Sequence, residues 1–177
     1  MQINIQNEIT FMRRLFLFSI CILVFSSTVF TQDRELILDT GVQPHSGVDS
    51  VYKAFSESYR TLNVDMVAGL YSQNATYLVP DEEIMVGRDK IRGTFTNFFD
   101  SVKNDKRTMT ISFRIVQRRI DKELGYDVGI YTLRSFKDGK EVGMSQGKFV
   151  VVAVKEKDGK WAFHVDGYSG LKPVKSN

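Results

Sequence analysis

The sequence predicts one α+β domain in which three N-terminal helices cover one face of a curved antiparallel β-sheet. Three observations predict it. Apolar residues recur every three to four positions up to about Lys106 and every second position beyond it. Two Asp-Gly pairs, Asp138-Gly139 and Asp158-Gly159, separate the alternating runs and mark hairpins, because the favoured two-residue turn needs positive φ at both central residues. The 177 residues are 42% hydrophobic and 25% charged, enough for a single core, with no internal repeat or low-complexity segment.

The first 31 residues read as a signal peptide. Basic Met12-Arg13-Arg14 precedes an apolar run, Leu15 to Phe25, and then small Ser26, Ser27 and Thr28. Cleavage is expected near Thr31-Gln32, and Met12 is a candidate for the true start. Export to a periplasmic or extracellular location follows from this pattern. The run is short for a bilayer-spanning helix; the alternative is an uncleaved anchor, which would be the chain's one membrane contact. The single cysteine, Cys21, lies inside the run. Its loss on cleavage would leave a mature chain without disulfides or thiol chemistry.

Residues 32–46 are polar, with Gly41 and Pro44, and read as a linker or extended arm. The domain is expected over residues 47–171, with a tail at 172–177. Its first helix is signalled by Val48, Val51, Tyr52, Phe55, Tyr59 and Leu62 on one face, with Ser46 and Asp49 as a capping pair. Asn63 caps a second, short helix that buries Met66, Val67, Leu70 and Tyr71 and ends at Asn74. A strand from Ala75 to Val79 stops at Pro80. Gly87 opens a third helix, Arg88 to Val102, burying Ile91, Phe95, Phe98, Phe99 and Val102. Four strands follow. One carries Met109, Ile111, Phe113 and Ile115 on its apolar face, and the others span Tyr126–Phe136, Val142–Lys155 and Lys160–Ser169. Gly125, Gly129 and Gly143 read as bends that curve the sheet.

Several function classes are disfavoured. A net charge of +3 from 24 basic and 21 acidic residues gives no nucleic-acid surface. The cluster Arg114, Arg118, Arg119 and Lys122 reads as a solvated strand end. With two histidines, His45 and His164, and no HxH, HExxH or cysteine pair, no metal site is expected. Neither a GxSxG elbow nor a phosphate-cradling glycine loop occurs, and no cofactor is expected.

Taken together, Leu62 to Met66, Tyr71 to Tyr77, Val86-Gly87-Arg88, Gly147 to Val152, Asp158-Gly159-Lys160-Trp161 and Asp166-Gly167-Tyr168-Ser169 resemble the NTF2-like superfamily, specifically its SnoaL-like and DUF4440 members, over about residues 47–170. The resemblance implies a cone-shaped sheet, the cystatin-like α+β roll, closed by the helices around a largely apolar cavity. It also implies enzymes, binders and dimerisation modules alike, so the fold does not settle function. Ketosteroid isomerases of the superfamily carry a tyrosine and two acids at places that align with Phe55, Val79 and Val151. With apolar residues at all three, that isomerase chemistry has no proton carrier.

The same alignment turns His164, Asp166 and Tyr168, on alternate positions of the last strand, into the cone, and Trp161, Phe163 and Val165 outward. An aspartate in an apolar pocket has its pKa raised and can act as general acid or base, with His164 as its proton partner. The alternative is that Asp166 accepts hydrogen bonds from Tyr52, Tyr59 or the backbone and only orders the pocket floor. Tyr52, Phe55, Tyr59, Tyr77, Met85, Tyr131, Val151 and Tyr168 are the expected pocket wall, a set that reads equally as plain core. The expected function is an exported domain that binds a small, mostly apolar organic molecule. The alternatives are an acid–base enzyme using Asp166 and His164, and a non-catalytic homodimerisation module. Val150, Val152, Val154, Trp161 and Phe163 are the expected dimer face.

Overall fold

A computed structural model describes residues 35–171. The signal peptide and the tail expected from the sequence lie outside the described residues. The elements run β1 (Leu36–Leu38), α1 (Ser46–Thr61), α2 (Val64–Gly69), β2 (Tyr71–Leu78), β3 (Met85–Val86), α3 (Arg88–Asn104), β4 (Thr108–Ile120), β5 (Leu124–Lys137), β6 (Lys140–Lys155) and β7 (Trp161–Gly170). All seven strands form one curved sheet in the order β1-β4-β5-β6-β7-β2-β3. The meander β4 to β7 is antiparallel as expected, but β1 runs parallel to β4 and β2 parallel to β7, so the sheet is mixed. Both parallel strands precede the meander in sequence and join the sheet through longer connections.

Two helices start at side-chain caps. Asn63 accepts from the Met66 N–H, as its position before Val64 requires. At α1 the cap is His45, not Ser46. Its Nδ1 accepts from the Val48 N–H at 3.1 Å, and Asp49 accepts from the His45 N–H at 3.0 Å. Part of the expected linker is therefore structured: Leu36–Leu38 pairs with Phe113–Ile115, and Asp39 holds Arg114 through two bonds. β2 begins at Tyr71, four residues before the expected strand, because α2 ends at Gly69.

Asp138 and Gly139 both take positive φ (51° and 74°), the tight hairpin expected between β5 and β6. At Asp158-Gly159 only Gly159 does, at 84°. There the Glu156 carbonyl accepts from Gly159 N–H and the Glu156 N–H donates to Lys160, a longer turn with a glycine bulge.

The core joins helix and sheet through aromatic rings. Tyr52 and Phe55 of α1, Phe95 and Phe99 of α3, Phe113 of β4, Phe149 of β6 and Phe163 of β7 are all buried. Tyr52 meets Phe113 and Phe163 edge-on at 5.0 and 5.1 Å between ring centres. Burial of each such ring contributes roughly 1.5–3 kcal/mol, and edge-on contacts add specificity of orientation.

The ends of β4 and β5 hold a buried ionic cluster. Arg118, with 3% of its side chain exposed, makes two 2.8 Å bonds to Asp127, 2% exposed, and a third to Asp49 at the start of α1. Arg118 is thus not part of a solvated basic strand end. Burial opposes its charge, but the two carboxylates outweigh burial and raise its pKa.

Candidate functional site

Helices α1 and α3 roof the concave face of the sheet without filling it. They leave a cavity of about 240 Å³ between them and strands β2 and β4 to β7. Of its sixteen lining residues, eleven are aromatic, and Asp166 is the one that carries a charge. The half-buried residues Thr94 and Phe98 of α3, Tyr131 and Leu133 of β5 and Tyr168 of β7 lie on the more accessible side. The Tyr131 ring lies against Gly147, in space that a Cβ there would occupy. Tyr131 and Tyr168 meet edge-on at 5.7 Å.

Asp166 reaches the cavity from β7, paired with Val151 of β6 on one side and Tyr77 of β2 on the other. It is 9% exposed. The Tyr71 hydroxyl donates to its Oδ2 at 2.6 Å, the one side-chain bond to the carboxylate among the described residues. Burial raises the carboxyl pKa from 3.8 to about 6, with the Tyr71 bond pulling the other way. Burial first, then the charge of Asp166, pushes the phenols of Tyr59, Tyr71 and Tyr77 upward, so all three are neutral donors across the ordinary pH range. Tyr52 is shifted the same way, by burial and then by Asp127. Its hydroxyl nevertheless makes no hydrogen bond of normal geometry, although Asp127 is close enough to act on it.

The structure brings most of the expected wall together. Tyr52, Phe55, Tyr59, Tyr77, Tyr131, Val151 and Tyr168 line the cavity with Asp166. Met85 does not; it stands behind Thr94, whose hydroxyl meets its sulfur at 3.1 Å. Of the isomerase positions, Phe55 and Val151 are on the wall and Val79 is not.

His164 is a correction. Its imidazole does not line the cavity, and its Nδ1 lies 2.8 Å from the Ser72 hydroxyl. The cause is a β-bulge. Val152 pairs with Val165 and Ala153 with Phe163, so His164 is the extra residue between them. Strict alternation fails at that point, and Phe163, expected outside, is 1% exposed and lines the cavity. Trp161 is also not a free outer residue. It packs over the start of α1, edge-on to His45 at 5.0 Å, in space that a Cβ at Gly47 would occupy. The residue that sequence reasoning missed is Tyr71, assigned there to a helix. The available signal was Tyr71-Ser72 directly after Gly69-Leu70, where a helix stop could have started the strand earlier.

Comparison with known proteins agrees with this architecture. More than four hundred solved chains match, 428 in all, so the fold is widespread and by itself says little of chemistry. One is a protein from Xanthomonas campestris named for the association domain of calcium/calmodulin-dependent protein kinase II. It is 24% identical, with a TM-score of 0.58 and 76% of this chain and 93% of that chain covered. Another is a ketosteroid isomerase-like protein from Erwinia carotovora atroseptica, at 11% identity, TM-score 0.58 and coverage of 72% and 96%. A third is an NTF2-like protein with a cystatin-like fold from Novosphingobium aromaticivorans, at 9% identity, TM-score 0.61 and coverage of 73% and 83%. At these identities the likeness is one of fold. No curated protein matches the chain. The SnoaL-like domain family matches residues 48–169, spanning the helices, the sheet and the cavity between them, and the chain belongs to that family.

Proposed function

We propose that this is an exported protein whose cavity binds a small, mostly apolar organic molecule. The carrying observation is an aromatic-walled space of about 240 Å³ with one carboxylate on its wall. An apolar cavity of about 150 Å³ already admits benzene, so a substituted ring fits. Export is supported by the basic, apolar and small-residue sequence of Met12 to Thr31. Pairing of two copies through the outer sheet face is supported by Val150, 47% exposed, beside half-buried Val152 and Val154.

A second reading adds acid–base chemistry at Asp166. It is favoured by a carboxyl that titrates at about 6, within reach of both protonation states near neutrality. Tyr71 is the group that holds the carboxylate, and His164 bonds Ser72 away from the cavity.

Native mass spectrometry of protein purified from its source tests these points together. The expected result is a chain beginning near Gln32, doubled in mass, with a small organic molecule retained. A chain without any bound molecule, which also gains no thermal stability from a panel of small aromatic compounds, would overturn the binding reading. A monomer at micromolar concentration would remove the pairing. If the captured molecule is returned unaltered after incubation with fresh protein, the acid–base reading falls and binding stands.

A further inference from the structure

We propose that the occupant of this cavity is a small organic cation, a protonated amine on an apolar body, whose ammonium group pairs with Asp166. The proposal rests on the cavity being a binding site and adds what that site selects. Its first support is a contrast between two buried carboxylates. Asp127 receives a fork of two 2.8 Å bonds from Arg118, so its charge is matched within the fold. Asp166 receives one neutral phenol, Tyr71, and among the described residues no lysine, arginine or histidine lines its cavity. Buried charges in proteins are normally paired. At Asp166 the chain leaves the counter-charge to be supplied from the cavity side.

The wall supplies the second support. Ring faces and phenol oxygens are both electron-rich, and a cation near an aromatic face is attracted by about 2 kcal/mol or more once desolvated. Eleven aromatic residues surround the space, five of them tyrosines. An anion would meet an unneutralised carboxylate there. An alcohol would satisfy hydrogen bonding but would leave the charge uncompensated. The volume accommodates an apolar body of one ring with a short arm.

The test is calorimetric titration with benzylammonium and the similarly shaped neutral benzyl alcohol. At pH 7.5 the amine should bind the wild-type protein at least about tenfold more tightly than the alcohol. In Asp166→Asn that preference should vanish, the amine falling to about the affinity of the alcohol. A second measurement needs no variant: amine affinity should fall about tenfold between pH 7 and pH 5 as Asp166 gains its proton, and alcohol affinity should stay level. The ionisable groups facing Asp166 are phenols: Tyr52 and Tyr59 from α1, Tyr71 and Tyr77 from β2, Tyr131 from β5 and Tyr168 from β7. All are shifted upward, so none changes charge in that range. Facing residues on α3, β4 and β6 carry no charge. Equal affinity for the two probes, or an amine affinity independent of pH, would overturn the cation proposal and leave the cavity a binding site. Failure of both probes to bind at millimolar concentration would overturn both.

Discussion

The carboxyl of Asp166 ties the cavity to the stability of the fold. In the unfolded chain an aspartate titrates near 3.9, and in the folded protein this one titrates at about 6 because burial penalises its charge. Between those values the folded state holds the proton that the unfolded state has lost, so stability falls as pH rises through that window. The stabilising contribution is fully present below about pH 4 and gone above about pH 6, and it amounts to roughly 3 kcal/mol. Asp166→Asn removes this titration and keeps an acceptor for Tyr71. Urea denaturation of wild type and variant should therefore agree most closely near pH 4 and diverge with rising pH. By pH 8 the variant should be the more stable by about 2–3 kcal/mol. A difference that stays flat from pH 4 to pH 8 would contradict the raised pKa. The cost at neutral pH fits a residue kept for what it meets in the cavity, and a bound cation would offset it. Asp166 was legible in the sequence because acids are rarely turned inward. Tyr71 was not, because its partner lies 95 residues away and depends on β2 lying beside β7.

At the scale of elements, what the sequence conveyed and what it hid divide at the bulges. Period-2 alternation located β4 to β7, and the helical period located α1 and α3, since each pattern follows from one face being buried. A bulge adds one residue without any mark in composition. The extra residue His164 shifts Phe163 inward and takes the imidazole off the cavity, and no reading by alternation alone recovers that. The parallel strand β1 was hidden for a related reason: three residues at an edge are too few to show a period. The bulge makes a clear prediction. Since His164 bonds Ser72 and does not line the cavity, His164→Ala should cost about 1 kcal/mol of stability, the worth of one partly buried hydrogen bond. Benzylammonium titration of the same variant should give the wild-type affinity. A tenfold loss of affinity with stability intact would restore the imidazole to the site.

For the whole molecule, α1 is locked to the sheet at its first turn. The lock is Arg118, which joins β4 to β5 through Asp127 and to the first turn of α1 through Asp49. Asp49 also accepts from the His45 N–H, so the helix cap and the ion cluster share one carboxylate. Such a cluster is weak evidence of net stabilisation, because removing three charged groups from water is expensive. Breaking it is another matter. Arg118→Met would leave Asp127 buried beside Asp49 with no positive charge, and the expected loss is about 3–5 kcal/mol, a large fraction of a domain's usual total of about 5–15 kcal/mol. Replacing the cluster together, with Arg118→Met, Asp127→Leu and Asp49→Asn, should recover most of that loss, because no unpaired charge remains. Urea midpoints of the single and triple variants measure both quantities. If the cluster sets the gap between α1 and the sheet, the triple variant should be stable yet bind benzylammonium more weakly, as Tyr52 loses its neighbour Asp127 and settles differently on the cavity wall. Recovery of both stability and affinity would mean that the aromatic packing of Tyr52 against Phe113 and Phe163 holds the roof in place unaided.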